Sequence, residues 1–241
     1  MCCPGHQLIA DGWSVLPLCW TDEAGDCNCR RHHSPKNAGK APLTSHGVND
    51  ATTDEAQVDI WSKRWPHANW GIACTGVTVV DIDDTELAAL LKEDEELKQH
   101  HCMVSTPRRN GLHIYLVEDD SVQASRVLFR QDGRRLGELQ RAGRYVVGPG
   151  SRIGSGYYRP ITNNASVTVE DAEDWLTEVL ERLGVALRQA PTQYALGWTT
   201  VDTDDPWFCF TTKRIFPSLR SNSAPILIEG NISGFEIETR L

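Results

Sequence analysis

Residues 76–84, GVTVVDIDD, place acidic side chains at the end of an apolar run. The run predicts a buried β-strand, and alternation along a strand directs Asp81 and Asp83 to the same face. Two like charges this close repel each other and are costly to bury. The pair could therefore be stabilised by a metal ion, by a basic partner or by open solvent.

A third carboxylate, Glu138, lies in another strand-like run, LGELQ. We expect Asp81, Asp83 and Glu138 on neighbouring strands, where they would form an oxygen-ligand site for Mg²⁺ or Mn²⁺. A pair of such ions can activate an attacking hydroxyl and stabilise the leaving oxygen in phosphoryl transfer. A strand that runs into a helix, with Asp84 as the N-cap and solvated neighbours, would explain the first acids without a metal.

Basic residues are concentrated in residues 126–159, which carry eight arginines against two acids in a chain of net charge −9. The overall charge argues against indiscriminate coating of nucleic acid, whereas the local surplus predicts a site for phosphates. A solvated hairpin with arginines for solubility is the alternative. On charge we select Lys40 and Arg144 as candidate phosphate or template contacts.

The stretch STPRRNGLHIY predicts a β-hairpin, because its Asn-Gly pair is a strong turn signal between two strand-like runs. Ser105, Arg108 and Arg109 offer a hydroxyl and two cations, which would suit a triphosphate. His113 lies on the returning strand. A single histidine on a strand is more often a hydrogen-bonded core or surface residue.

Residues 19–40 are polar and rich in Cys and His, with little periodicity. The candidate ligands are Cys19, Cys27, Cys29, His32 and His33. Four soft or borderline ligands in a loop with little core of its own predict a structural Zn²⁺. The alternative is a loop with free thiols and a surface histidine pair, since Cys-x-Cys is tighter than the usual spacing.

The start of the chain lacks the charged head and long apolar stretch of a signal peptide. No apolar run approaches the length of a membrane span. We therefore expect a cytoplasmic protein without a membrane segment, whose cysteines are thiols or metal ligands rather than disulfides.

The periodicities predict strands, a helix, a hairpin, a second helix, a second hairpin, further strands and a third helix. Thr52 with Glu55 indicates a capping box for the first helix, residues 85–101 form the second, and Thr168 caps the third. This order is typical of an α+β fold with helices on a largely antiparallel sheet.

Five motifs occur in the order GIACTG, VVDIDD, STPRRNGLHIY, GELQRAGRYVVGPGS and GYY. With KAPLTSHGVNDATTDEAQVDIWSKRWPHANWGI before them, they resemble the N-terminal domain of bifunctional DNA primase–polymerases. These enzymes belong to the archaeo-eukaryotic primase superfamily and are often encoded by plasmids and phages. The resemblance covers about residues 8–182, and it implies a palm related to RNA-recognition-type sheets.

The resemblance also implies roles for single residues. Asp81 and Asp83 would hold catalytic divalent ions, and Glu138 would be the third metal carboxylate, where many relatives carry Asp. His113 would contact the phosphates of the incoming nucleotide. Ser151 ends a GPGS stretch in place of a commoner PPS form and would make a further nucleotide contact.

The implied function is a metal-dependent nucleotidyltransferase that makes and extends primers in replication of plasmid, phage or other mobile-element DNA. Its partners would be a single-stranded DNA template, nucleoside triphosphates and a helicase, in trans or in a further C-terminal part, since no GxxxxGKT loop occurs. A zinc-held loop could grip template or primer. One alternative is a non-catalytic nucleic-acid-binding replication module. Another is a rolling-circle initiator endonuclease, for which the adjacent His32 and His33 lack the required spacer.

From these features we expect residues 1–188 to form the catalytic domain, with residues 19–40 as its Cys/His-rich insert. From about Gln189 onward no sustained periodicity appears, and APTQ resembles a linker. Residues 189–241 are therefore expected to be a linker or C-terminal appendage, to which the sequence assigns no role.

Overall fold

A computed structural model gives the fold of most of the chain. It describes residues 4–29, 33–118, 125–129, 132–164, 167–187, 227–229 and 238–240. The chain divides into two units, residues 1–192 and 193–241. The described residues of the second unit form one antiparallel strand pair, and the linker or appendage role of this region stays a prediction.

The helices of the described residues are α1 (Pro4–Ala10), α2 (Glu55–Arg64), α3 (Thr85–Glu93), α4 (Glu95–His100) and α5 (Ala172–Arg182). The first strands are β1 (Val15–Leu18), β2 (Asn69–Ala73), β3 (Thr78–Ile82), β4 (Cys102–Ser105), β5 (Leu112–Glu118), β6 (Arg126–Phe129) and β7 (Arg135–Gln140). The others are β8 (Tyr145–Val147), β9 (Arg152–Ile153), β10 (Gly156–Tyr157), β11 (Arg159–Asn163), β12 (Val167–Val169), β13 (Leu227–Glu229) and β14 (Glu238–Arg240). Within this part of the chain, no helix is both long and apolar enough to cross a membrane.

The large sheet has the strand order β11-β4-β5-β3-β7-β6, and all these neighbours pair antiparallel. Strand β12 adds a short parallel pairing to the end of β5. A second antiparallel sheet has the order β1-β2-β8, and β9 and β10 form a hairpin. The predicted α+β class with a largely antiparallel sheet is confirmed.

Two apolar cores lie on opposite faces of the large sheet. Val79 and Tyr115 point into the core that includes residues of the small sheet, α1 and α2. Val80 and Ile114 point the other way, into the core formed with α3, α4 and α5. Because successive strand residues alternate between faces, this division fixes the face on which each polar side chain of β3 and β5 must lie.

Two helices begin later than the sequence predicts, so the proposed caps are wrong. The N-cap of α2 is Asp54, and Thr52 instead accepts a hydrogen bond from the Asp54 N–H. The N-cap of α5 is Asp171, whereas Thr168 lies in β12. In both cases a nearby aspartate takes the capping position, which it occupies more favourably than threonine.

The predicted helix 85–101 is two helices, α3 and α4, joined at Asp94. Asp94 is the C-cap of α3, and its side chain accepts a hydrogen bond from the Leu97 N–H at the start of α4. Asp84 caps α3 in the same way, through the Leu87 N–H, so this predicted cap is confirmed. The cap fixes where β3 ends and α3 begins.

A buried ion pair joins the large sheet to α5. Arg141 donates two hydrogen bonds of 3.1 Å to Glu118, and both side chains are almost fully buried. Glu118 also accepts hydrogen bonds from the Ala172 N–H and from the Thr78 hydroxyl. The carboxylate thus connects β3, β5, the end of β7 and the start of α5. Removing Arg141 would leave the buried negative charge of Glu118 without a counter-charge.

Replacing Arg141 with Met is expected to lower the free energy of unfolding at neutral pH by about 3–5 kcal/mol, since it leaves the Glu118 carboxylate buried without its cation. Urea unfolding measures the loss. Lys98→Met is the control, because it removes a solvent-screened ion pair with the exposed Glu95 and should cost much less. Equal losses in the two variants would contradict the prediction.

The same variant tests the charge of Glu118. Burial opposes ionisation, but Arg141, the Ala172 N–H and Thr78 outweigh it and hold the pKa of Glu118 below its usual value. Such a carboxyl stabilises the fold above its unfolded pKa of about 4.3, and the contribution is lost as pH falls through the folded pKa. The stability difference between wild type and Arg141→Met should therefore shrink towards acid pH.

Candidate active site

Strand β3 runs between β5 and β7 in the large sheet. Asp81 of β3 pairs with His113 of β5 on one side and with Glu138 of β7 on the other. Directly paired residues of antiparallel strands point to the same face. The side chains of Asp81, His113 and Glu138 therefore form a row across three strands, on the face that also carries Val79. The carboxylates Asp81 and Glu138, with Asp83 beside them, are called the acidic row.

The end of β3 is tied closely to β7. The N–H groups of Asp83 and Asp84 donate to the Leu136 carbonyl at 2.9 and 3.0 Å. A Cβ on Gly137 would lie 1.9 Å from the carbonyl oxygen of Asp81, so only glycine permits this approach of the two strands. The glycine of the GEL stretch therefore places the predicted acids next to each other.

His113 contacts Asp81 rather than solvent. Its Nε2 lies 3.3 Å from Asp81 Oδ1, its side chain is 4% exposed, and its Nδ1 is buried without a hydrogen-bond partner among the described residues. Burial alone would raise the pKa of Asp81, but the attraction of His113, Lys40 and Arg135 holds that pKa below its usual value. His113 therefore keeps the Asp81 carboxyl ionised.

Arg135 brings Asp83 and Glu138 into one charge cluster. Its Nη2 lies 2.5 Å from Glu138 Oε1 and 3.9 Å from Asp83 Oδ2, and Gln140 donates to the other Glu138 oxygen at 2.8 Å. Arg135 was not among the predicted site residues, although it lies three residues before Glu138 in the arginine-rich segment. Carboxylate oxygens from adjacent strands that already attract a cation are a donor set that fits Mg²⁺ or Mn²⁺.

A cleft of about 540 Å³ opens beside the acids. Its lining residues are Asp83, Asp84, Thr85, Glu86, Arg108, Arg109, Arg134 and Arg135. Arg134 is already held by Asp84 and Glu86. Arg108 and Arg109 are exposed, and neither makes an ion pair within the described part of the chain. This arginine cleft therefore places next to the acidic row two guanidinium groups that make no ion pair with another described residue.

The turn that carries these arginines is rigidly held by α3. Lys92 donates to the Asn110 carbonyl at 2.6 Å and to the Ser105 hydroxyl at 3.2 Å, and Thr85 donates to the Arg109 carbonyl at 3.1 Å. Arg109 and Asn110 have φ angles of 53° and 51°, which these contacts maintain. Lys92 is thus a positioning residue that the sequence analysis missed, because its partners lie on another element.

The structure does not bring all predicted nucleotide contacts to the acids. Ser105 pairs with Leu112, so it lies on the helix-covered face, opposite to His113. Ser151 is 2% exposed, and its hydroxyl is occupied by the backbone N–H and carbonyl of Trp70 at 3.0 and 3.2 Å.

The two residues selected on charge lie at different places. Lys40 is close enough to Asp81 to help lower its pKa. Arg144 lies at the opposite end of β3 from Asp83, where its carbonyl accepts the Cys74 N–H in the turn before β3. Of the two, only Lys40 lies near the acidic row.

A second cluster lies in the Cys/His-rich insert and could hold a metal ion. Ligand atoms of Cys19, Cys27, Cys29 and His33 all lie within 4.8 Å of one another. His33 Nε2 is 3.1 Å from the Cys27 sulfur and 3.2 Å from the Cys29 sulfur. The other candidate, His32, lies outside the described residues.

The backbone around this cluster favours metal binding. His33 Nδ1 lies 3.0 Å from the Ser34 carbonyl, which leaves Nε2 available as a ligand. Burial opposes ionisation of Cys27, but hydrogen bonds from the backbone of Cys29 and Gly39 and from neighbouring thiols hold its pKa at about 6. A thiolate at neutral pH is the form of cysteine that binds metals.

Replacing His113 with Gln is expected to raise the pKa of Asp81, because it removes the largest attraction acting on that carboxyl. Carbon-13 NMR of the carboxyl groups as a function of pH measures the change. His46→Gln is the matched control, since His46 lowers the pKa of Asp50 in an exposed pair and should leave Asp81 unchanged. An Asp81 pKa that is the same in wild type and His113→Gln would contradict the assigned contact.

Comparison with known proteins places this architecture in a family. The model of the family described as bifunctional DNA primase/polymerase, N-terminal, matches residues 6–175, which include the acidic row, the arginine cleft and the Cys/His cluster. No curated protein matches the chain. The match spans most of the chain, and with it the resemblance carried by the motifs is confirmed: the chain belongs to the bifunctional DNA primase/polymerase N-terminal family.

Proposed function

We propose that this chain is a cytoplasmic nucleotidyltransferase that makes and extends primers on single-stranded DNA during replication of plasmid, phage or other mobile-element DNA. The family match supports a primase/polymerase-type function in general. The observation that carries the specific proposal is the row of Asp81, His113 and Glu138 across three strands, with Asp83 and the arginine cleft beside it. In this proposal residues 1–188 are the catalytic domain, and unwinding is left to a helicase.

The acids would hold the divalent ions of the reaction. Asp81, Asp83 and Glu138 supply the oxygen ligands, and Mg²⁺ or Mn²⁺ bound there would activate the attacking hydroxyl and stabilise the leaving oxygen. The contact of His113 with the nucleotide phosphates stays a prediction; in this structure His113 is buried and positions Asp81. Arg135 balances the charge of Asp83 and Glu138.

The cations beside the acids would bind the nucleoside triphosphate. Arg108 and Arg109 line the cleft and make no ion pair with another described residue, and guanidinium groups suit phosphate oxygens through paired hydrogen bonds. Lys40 adds a positive charge near Asp81. A 3′-hydroxyl then attacks the α-phosphate of the held nucleotide and pyrophosphate leaves, so no protein nucleophile is required.

The two alternatives receive less support. A rolling-circle initiator would need histidines separated by an apolar residue on a strand, whereas His33 lies in the Cys/His cluster. A non-catalytic binding module would have no need for Asp81 and Glu138 at directly paired positions beside Asp83, because like charges there destabilise the sheet.

The double variant Asp81→Ala, Asp83→Ala tests the catalytic proposal. Incorporation of labelled nucleotides on single-stranded DNA, with Mg²⁺ or Mn²⁺, should fall by at least about a hundredfold, the cost of losing one strong electrostatic stabiliser of a transition state. Asp54→Asn is the control, since Asn retains the N-cap of α2. Undiminished primer synthesis by the double variant would exclude the mechanism.

We further propose that Cys19, Cys27, Cys29 and His33 hold a structural Zn²⁺, since three cysteines and a histidine are typical of such sites. Burial raises the pKa of the Cys19 thiol to about 12, so metal binding would have to displace its proton. Purified protein should contain one zinc per chain by elemental analysis. Cys29→Ser should lose it and lower the thermal stability, whereas Cys102→Ala, outside the cluster, should retain it. Zinc-free wild-type protein that melts at the same temperature as zinc-loaded protein would contradict this role.

A further inference from the structure

The β9–β10 hairpin and strand β11 present an aromatic side chain next to the active-site core. Tyr158 points inward: it is 4% exposed and its ring centroid lies 5.7 Å from that of His113. Its neighbour Tyr157 is 42% exposed, one of the few large apolar side chains that the described residues leave in solvent. Because successive residues of an extended chain point to opposite sides, Tyr158 is buried in the core and Tyr157 points to solvent.

A cation stacks on this exposed ring. The Arg159 guanidinium carbon lies 5.6 Å from the Tyr157 ring centroid, a cation–π arrangement that limits the orientations of both side chains. Arg159 is exposed and makes no ion pair within the described parts of the chain. Ile161, two residues further along β11, is also exposed.

The exposed pair is continuous with the arginine cleft. Arg159 pairs with Ser105, so it lies on the helix-covered face, opposite to Asp81 and His113, at the end of the strand that leads into the turn carrying Arg108 and Arg109. A Cβ on Gly156 would lie 2.4 Å from Pro107 Cβ, so the hairpin packs directly against the residue before Arg108. The exposed side chains of Tyr157, Arg159, Arg108 and Arg109 are therefore neighbours at the end of the sheet where β4 leads into the turn before β5.

The distance from this edge to the acids is short. Strand β11 is three strand spacings from β3 in the order β11-β4-β5-β3, which corresponds to about 14 Å. The charges of Asp81 and Asp83 help to raise the pKa of Tyr158, after burial as the main cause, which places this strand within electrostatic reach of the acids. A polymer bound at Arg159 would pass over the turn that carries Arg108 and Arg109, whose cleft also contains Asp83, to reach the acids on the other face.

We propose that Tyr157 and Arg159 form a stacking platform for single-stranded DNA, with Arg108 and Arg109 continuing the path towards the acids. A base would stack on the Tyr157 ring, and the arginines would contact phosphates, the combination that non-specific single-strand binding uses. Charge complementarity selects this occupant, since uncommitted cations line the path in a chain of net charge −9. The platform itself is inferred from these exposed side chains, whereas the identification of the bound strand as the template rests on the proposed function.

DNA binding is measured by fluorescence anisotropy of a labelled oligo(dT) strand, without added Mg²⁺ or Mn²⁺ and without nucleotide. Tyr157→Leu, which keeps apolar bulk but removes the ring, should weaken binding about tenfold, whereas Tyr157→Phe should stay within about twofold. Arg159→Gln should reduce the slope of log K against log salt by about 0.7, the value for one phosphate contact on a single strand. Lys63→Gln, an exposed cation on α2, is the matched control and should bind as wild type does.

Each outcome decides for or against the platform. Wild-type affinity in Tyr157→Leu overturns it, and so does equal loss in Tyr157→Phe and Tyr157→Leu, which would implicate the hydroxyl. An equal effect of Lys63→Gln and Arg159→Gln would indicate diffuse charge attraction alone. The double variant Asp81→Ala, Asp83→Ala is assayed separately, for primer synthesis. Because binding is measured without catalysis, full synthesis by that variant would refute the proposed function and leave the Tyr157 result standing.

Discussion

Asp81 and Glu138 are directly paired on neighbouring antiparallel strands, where like charges repel each other, and Asp83 adds a third negative charge at the same end. The fold compensates this repulsion with polar and cationic side chains from separate segments. His113 contacts Asp81 from the strand on the other side, Arg135 bridges Glu138 and Asp83, and Lys40 approaches from the Cys/His-rich insert. A site that has to attract positive charge in this way is prepared for metal ions and for the residues that bind phosphates.

The acids can be held in this arrangement because the strands beneath them are fixed on both faces. Residues of β3 alternate between two apolar cores, so the strand cannot slip by one position without burying Asp81 among the helices. Gly137 sets the approach of β7 to β3 at the acidic end. The Glu118–Arg141 pair joins the same strands towards their other end. The rigidity of the site therefore comes from contacts that never touch a substrate.

Much of this arrangement could be predicted from local sequence patterns. The α+β class, the Asp84 cap and the proximity of the cysteines all depend on spacing within one segment. Residue roles that depend on pairing between segments could not be predicted. Ser105 shares a hairpin with His113, yet strand register sends it to the opposite face. Arg135 resembles its arginine neighbours in the sequence, and only the pairing of β7 with β3 shows that it contacts the acids.

Divalent ions held by Asp81, Asp83 and Glu138, as proposed, would take the cation position that Arg135 now occupies beside Glu138. The most direct measurement is a crystal structure with Mn²⁺ and a non-hydrolysable nucleoside triphosphate, in which anomalous scattering locates the metal. We expect an anomalous peak within coordination distance of Asp81, Asp83 and Glu138, with Arg135 withdrawn from Glu138. Triphosphate and Mn²⁺ bound elsewhere, with the Arg135–Glu138 ion pair intact, would contradict it.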